Sequence, residues 1–378
     1  MKLFDVYPLY DVTLVQAKGM YVYDDQGTKY LDLYGGHAVI AIGHKHPEYV
    51  KQLKKQLNRI GFYSNAVQSP LQKDVAKRLG ALSGCDDYQL FFCNSGAEAN
   101  ENALKLASFE TGKHRVLAFT NGFHGRTSAA VAVTDNLAII APINAQHKAT
   151  IITLGDLDTV EKELAKQDVC AVIIECIQGV GGLDESTTDF YKGLSKLTKK
   201  YKVKLIVDEV QSGFGRSGDF FAFQKHDITP DIITIAKGMG NGFPVGGILI
   251  HPSIQATYGM LGTTFGGNHL ACAAVKAVLK TIKKEKLLAH TQKMEIYFRE
   301  QAAKHPDWYT VKGRGLMLGL ELPFEVSALR KRLIVDHHIF TGGAKNKKLL
   351  RILPSLTVKP KHIDQLFNAL HIELCSII

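Results

Sequence analysis

A chain of 378 residues, 46% hydrophobic and 22% charged, has an ordinary globular balance and is long enough for two domains around a large core. No apolar run approaches the roughly 20 residues that span a bilayer, and the start, MKLFDVYPLYDV, lacks the long apolar stretch of a signal peptide, so a cytoplasmic protein without a membrane partner is expected. The net charge of +10 raises nucleic-acid binding, but the lysines spread over expected helix faces (Lys51, Lys54, Lys55; Lys283, Lys284, Lys286) with no recognition motif, which reads as a solvated basic surface.

Six scattered cysteines with no C-x-x-C pair point to free thiols rather than a disulfide framework. In chain order, Met20–Tyr23 and Thr28–Asp32 flank an Asp-Asp-Gln-Gly turn, a hairpin signal. His44 and His46 stand two apart before Pro47; with no third ligand nearby they read as loop and helix cap rather than metal ligands. Val50, Leu53, Leu57 and Ile60 recur at helical spacing, Ser64-Asn65 breaks the run, and Gln72 to Leu82 resumes it.

Leu90–Cys93 reads as a strand that ends at Asn94-Ser95-Gly96-Ala97 and feeds a helix through Leu106. Small residues at such a turn let backbone amides approach an anion, and the helix dipole favours its charge; plain N-capping by Ser95 is the competing reading. Val116–Phe119 is the next strand, followed by Phe123, able to stack on a flat ring, and Arg126, a fork suited to a carboxylate or to a structural ion pair. His124 reads as packing. Val172–Ile174 leads to Glu175 and a glycine-rich turn through Gly182.

Two short apolar runs then end in charged residues. Val203–Val207 stops at Asp208 and Glu209, and Asp231–Ala236 stops at Lys237 before glycines 238, 240 and 242. Such runs read as buried parallel strands, whose carboxyl ends form the ligand rim of an open α/β sheet. A lysine amine can form a Schiff base with a carbonyl, and pyridoxal phosphate (PLP) enzymes pair that lysine with an acid for the pyridinium nitrogen. Asp208 and Lys237 suit these roles. From Ala271 the pattern is helical to about Leu288. Gly313–Gly319 has the wrong spacing for a dinucleotide loop. Arg351 sits alone in the apolar run Leu349–Leu353, where a buried guanidinium calls for a ligand carboxylate.

The segments DEVQSGFGRSG and PDIITIAKGMGNGFPVGG resemble the class III, or ω-amino-acid, aminotransferases of the fold-type I PLP family, and the resemblance covers nearly the whole chain. It implies an α/β fold: a large, mostly parallel-sheet domain over 49–275 and a small α+β domain from 1–48 and 276–378. It implies PLP held by Lys237, with Asp208 on the pyridinium, Gln211 on the ring's phenolic oxygen, Ser95, Gly96 and Ala97 on the phosphate, and Phe123 over the ring. It further implies a homodimer in which Thr264 reaches the partner's phosphate. Arg126 matches the arginine for the substrate carboxylate far from the reacting amine, and Arg351 the one for the carboxylate beside it. The family's E-P-x-Q-G-E departs here to Cys176 and Val180; the missing second glutamate is the one that elsewhere screens the arginine at the position of Arg351. FHGRT, the R-x-L-P segment and the compact length resemble the N2-acylornithine branch of arginine biosynthesis, with 2-oxoglutarate as acceptor. Ornithine and 4-aminobutyrate aminotransferases share many of these residues, and the acyl group stays open. A PLP-fold DNA-binding regulator would need a separate helix-turn-helix domain, for which the fold leaves no room.

Overall fold

The computed structural model describes residues 1–375. Strands β1 (Leu14–Lys18), β2 (Tyr21–Asp24) and β3 (Lys29–Asp32) open the fold. β2 and β3 form the expected hairpin, closed by Asp24, whose Oδ1 accepts from Gln26 N and Thr28 N. Next come β4 (Gln89–Cys93), β5 (Arg115–Phe119), β6 (Ala149–Ile152), β7 (Val169–Ile174), β8 (Lys204–Asp208), β9 (Ile232–Ile235) and β10 (Gly246–Ile250). The last strands are β11 (Thr310–Arg314), β12 (Met317–Glu321), β13 (Ile339–Phe340) and β14 (Leu349–Ile352).

The seven strands from β4 to β10 make one sheet in the order β4-β10-β9-β8-β7-β5-β6. All its pairings are parallel except those of β10, antiparallel to both β4 and β9. Every residue of β7 and β9 is buried, which is why these strands read as unbroken apolar runs instead of alternating. The helix Gly96–Thr111 lies against this sheet through Ala99, Ala103 and Ala107, whose small side chains permit a close approach. The sheet is α/β and mostly parallel, as expected.

Two smaller sheets flank it. β13 runs parallel to β3, so residues 339–340 complete the amino-terminal sheet, while β11, β12 and β14 form an antiparallel one. The helix expected from Ala271 to about Leu288 is instead two, His269–Lys284 and Leu287–Ala302, parted at Lys286, which takes a left-handed φ of 52°. The apolar periodicity runs across this joint and hides it; the break lies in the polar run Lys283–Lys286. Among the described residues, no helix is long and apolar enough to cross a membrane.

Candidate active site

The parallel strands deliver their functional residues to one rim. In the β8–β9 pairing Asp208 lies opposite Thr234, and Lys237 follows three residues later, beyond the end of β9. Both line a cavity of about 440 Å³, with Glu175 from the end of β7, Phe123 from the turn after β5, and Asn94 from the end of β4. Lys237 holds a left-handed φ of 44°, a conformation that costs a side-chain-bearing residue and persists only where its surroundings impose it. Burial pushes its ammonium below the ordinary lysine value, against the attraction of Asp208 and Glu175.

Asp208 is buried and held from three sides. Its Oδ2 accepts from His124 Nδ1 and Asn100 Nδ2, each at 2.8 Å, and its Oδ1 from Val210 N at 3.0 Å. Burial alone would pull the His124 imidazole down, but the hydrogen bond and charge of Asp208 outweigh it and raise the value, with Glu175 adding to the effect. Sequence reasoning gave His124 only a packing role and passed over Asn100. Glu175, read only as a strand end, accepts Phe123 N and Gly179 N, both at 2.9 Å, and so ties two loops of the rim together. Burial raises its carboxyl, opposed by the charge of His124. Glu209, next to Asp208, faces away: it accepts from Ser212 Oγ and Phe223 N, and burial raises it to about 7.

At the end of β4, Ser95 caps the helix Gly96–Thr111, its Oγ accepting Glu98 N at 3.1 Å, so the capping reading of this residue holds. The first-turn amides of Gly96 and Ala97 have no partner within a helix, and both residues line the cavity. The space there is tight: a Cβ on Gly96 would lie 2.6 Å from Val210 Cγ1, and one on Gly125 (φ 136°) 2.8 Å from Ala97 Cβ.

Gln211 and Arg126 also line the cavity. The Gln211 Oε1 is buried without a partner among the described residues. Arg126 is exposed and makes no ion pair among the described residues, so the structural salt bridge is not what holds it. Val180 lines the cavity as well. Arg351 lies behind this wall, 3% exposed, where Nε donates to Gly343 O and Nη1 to Gly179 O. Backbone carbonyls meet its donors while, among the described residues, no carboxylate stands at ion-pair distance, a distinction the pattern of an arginine in an apolar run cannot draw. Thr264 is exposed and outside the cavity lining. His44 and His46 diverge, the first bonding Asp32 Oδ2 at 2.8 Å, the second capping the helix Pro47–Leu57.

Against known proteins, the chain matches the family described as "Aminotransferase class-III" over residues 6–374. It belongs to that family. It is 37% identical to the acetylornithine aminotransferase of Aquifex aeolicus, over 97% of this chain and 98% of the relative. It is 39% identical to that of Corynebacterium efficiens, over 99% and 95%. Among solved structures, the ornithine aminotransferase of Toxoplasma gondii with partial occupancy of PLP at its active site matches with a TM-score of 0.89 at 25% identity, over 98% of this chain and 91% of that one. An S-selective transaminase from Arthrobacter sp. matches with a TM-score of 0.90 at 22% identity, over 100% and 96%, a likeness of fold. The protein is a fold-type I aminotransferase, and its cofactor is pyridoxal 5'-phosphate. The cavity suits that group: helix-terminal amides for an anion, glycines that leave room beside them, a partnerless buried amide oxygen, and a lysine and a carboxylate on one rim.

Proposed function

We propose that this aminotransferase moves the distal amine of an N2-acylornithine to 2-oxoglutarate, giving the semialdehyde and glutamate, in arginine biosynthesis. The observation that carries the reading is the identity of 35–41% to acetylornithine aminotransferases of several bacteria and archaea, mostly over nearly the whole chain. Bound PLP supplies a carbonyl for the amine and a ring that takes up electron density when the carbon bearing that amine loses its proton.

Within this reading, Lys237 would hold the cofactor, and its Nζ, once freed, would accept the proton that leaves the substrate carbon. The depressed ammonium supports this, because a neutral amine is the form that accepts the proton. Asp208 keeps the proton on the ring nitrogen, while His124 and Asn100 orient its carboxylate. Ser95, Gly96 and Ala97 take the phosphate, Phe123 covers the ring, and Gln211 bonds its phenolic oxygen. Arg126 takes the carboxylate far from the reacting amine, and Arg351 that of glutamate beside the reacting carbon.

The site is read as shared between two copies, with Thr264 supplied to the partner's phosphate. The exposed apolar residues Phe62, Tyr63, Val67, Tyr258 and Phe265, two of them in ring contact (Phe62 and Phe265), support a covered face around Thr264. The division into a large domain over 49–275 and a small one from 1–48 and 276–378 belongs to the same reading, as does a reducing, cytoplasmic setting for six free cysteines. The test is a donor panel with 2-oxoglutarate: kcat/KM for N-acetylornithine or N-succinylornithine is expected to exceed that for ornithine and 4-aminobutyrate, and the reverse order overturns the reading.

A further inference from the structure

The loop carrying Val180 packs against the stretch from Thr341 to Lys348. Lys345 N donates to Val180 O at 2.8 Å and Asn346 N to Gly181 O at 3.1 Å. Within that stretch Gly343 is flanked by two guanidinium groups. Arg351 donates through Nε to its carbonyl oxygen, and Arg330, from the helix Ser327–Val335, lies over its Cα, where an added Cβ would stand 2.6 Å from Arg330 Nη1.

Arg330 is poorly satisfied. Among the described residues its guanidinium makes one hydrogen bond, from Nη2 to Thr341 O at 3.3 Å, and its Nε is buried without a partner. Neither arginine has a carboxylate at ion-pair distance among the described residues, whereas neighbouring Arg332 pairs with Glu373. Burial first, and then the charges of Arg351, Lys237 and Arg330, push the His37 imidazole down to about 4. The Tyr34 phenol, hydrogen-bonded to His37, is raised by burial and adds no negative charge. Two adjacent guanidinium groups with no counter-charge repel one another and are costly to desolvate, unless an anion arrives to join them.

We infer that Arg330 is a second guanidinium of the carboxylate subsite, acting with Arg351 on the carboxylate beside the reacting carbon of glutamate and 2-oxoglutarate. The inference rests on the proposed role of Arg351 and adds a specificity-determining residue to it. An acylornithine reacting through its distal amine carries no carboxylate at that carbon, so Arg330 discriminates between the two half-reactions. Gly343 has a stated part: any side chain there displaces the Arg330 fork.

The experiment uses the holoenzyme and four variants, Arg330→Gln, Arg330→Lys, Gly343→Ala and Arg351→Gln. Calorimetry measures binding of glutarate, a dicarboxylate without an amine, and cofactor absorbance gives half-saturation for glutamate and for N-acetylornithine in separate half-reactions. Loss of one charge-assisted hydrogen bond is expected to weaken glutarate and glutamate about ten- to a hundredfold in Arg330→Gln. Gly343→Ala shifts the same way, Arg330→Lys keeps part of the affinity, and N-acetylornithine is unchanged in all three. Wild-type glutamate and glutarate affinity in Arg330→Gln and Gly343→Ala, with a loss in Arg351→Gln, overturns the role of Arg330 and leaves that of Arg351 standing. No loss in any variant overturns both.

Discussion

His124→Phe tests the support of Asp208, because it keeps an aromatic ring of similar size and removes the Nδ1 donor together with the titratable imidazole. The bond it deletes is 2.8 Å long, with side-chain exposures of 1% for His124 and 4% for Asp208, so solvent screening takes little from it. A hydrogen bond to a charged acceptor contributes about 1.5–3 kcal/mol. Asp208 keeps Asn100 Nδ2 and Val210 N, so it is not left bare, and the lower end, about 1.5 kcal/mol, is the expected loss. That corresponds to roughly tenfold in any equilibrium the carboxylate controls. The sign with pH follows from the raised imidazole. A group whose folded pKa lies above its unfolded value of 6.5 stabilises fully below 6.5 and loses that contribution as pH rises through the folded value. Urea midpoints of wild type and variant, measured from pH 5.5 to 9, are expected to differ most at the acid end and to converge upward. Titration of the apoenzymes with PLP is expected to show weaker binding in the variant by about that tenfold. A stability gap independent of pH, together with unchanged cofactor affinity, refutes the reasoning.

Three further predictions concern the same rim. Lys237→Ala is expected to abolish turnover, and borohydride reduction of the wild-type holoenzyme to attach the cofactor to Lys237, read by peptide mass; label on another lysine removes the assignment. Inactive Lys237→Ala and inactive Thr264→Asp chains, mixed under verified subunit exchange, are expected to regain activity, because one of the two shared sites then carries neither lesion; no recovery counts against Thr264 acting in trans. Val180→Glu places a carboxylate on the loop whose Gly179 carbonyl already touches Arg351, and a close ion pair is worth about 4 kcal/mol before desolvation at an intermediate dielectric. Glutamate is therefore expected to react less efficiently relative to the acylornithine, followed by cofactor absorbance in each half-reaction, and an unchanged ratio means that Arg351 is already screened or does not bind the carboxylate.

The rim was legible because strands buried on both faces leave a mark in sequence. β8 and β9 read as continuous apolar runs, and a charged residue that ends such a run stands at a carboxyl edge of the sheet. The support of Asp208 left no such mark. His124 and Asn100 reach it from 84 and 108 residues away, and no local period reports a contact of that separation. Glu175 obeys the same strand-end logic as Asp208 and could have been found by it. Arg351 was legible as a buried charge, but its partners are backbone carbonyls of Gly179 and Gly343, and carbonyls carry no residue signature. Thr264 lies outside the cavity lining, and the role proposed for it rests on the family resemblance and on a second copy of the chain.

The charge that matters to this site is local rather than the overall +10. Exposed charges of one sign act over roughly a Debye length, about 8 Å at physiological salt, and serve mainly to raise the rate at which anions arrive. Lys237 and Arg126 line the cavity with two carboxylates, Asp208 and Glu175, of which burial raises Glu175, while Arg351 and Arg330 lie behind its wall at Gly343. A surplus of cations over carboxylates is unfavourable, because the desolvation cost of the buried ones is only partly met by counter-charge. The reactants supply what is missing: the phosphate of the cofactor and the two carboxylates of a dicarboxylic 2-oxo acid. Discrimination between donor and acceptor then reduces to how many of those cations each reactant neutralises. Under the roles proposed for the arginines at Gly343, an acylornithine leaves them unanswered, while glutamate answers them. With valine at position 180, no carboxylate on that loop position competes for Arg351, so the preference rests on the guanidinium groups themselves and on the room that a glycine leaves between them.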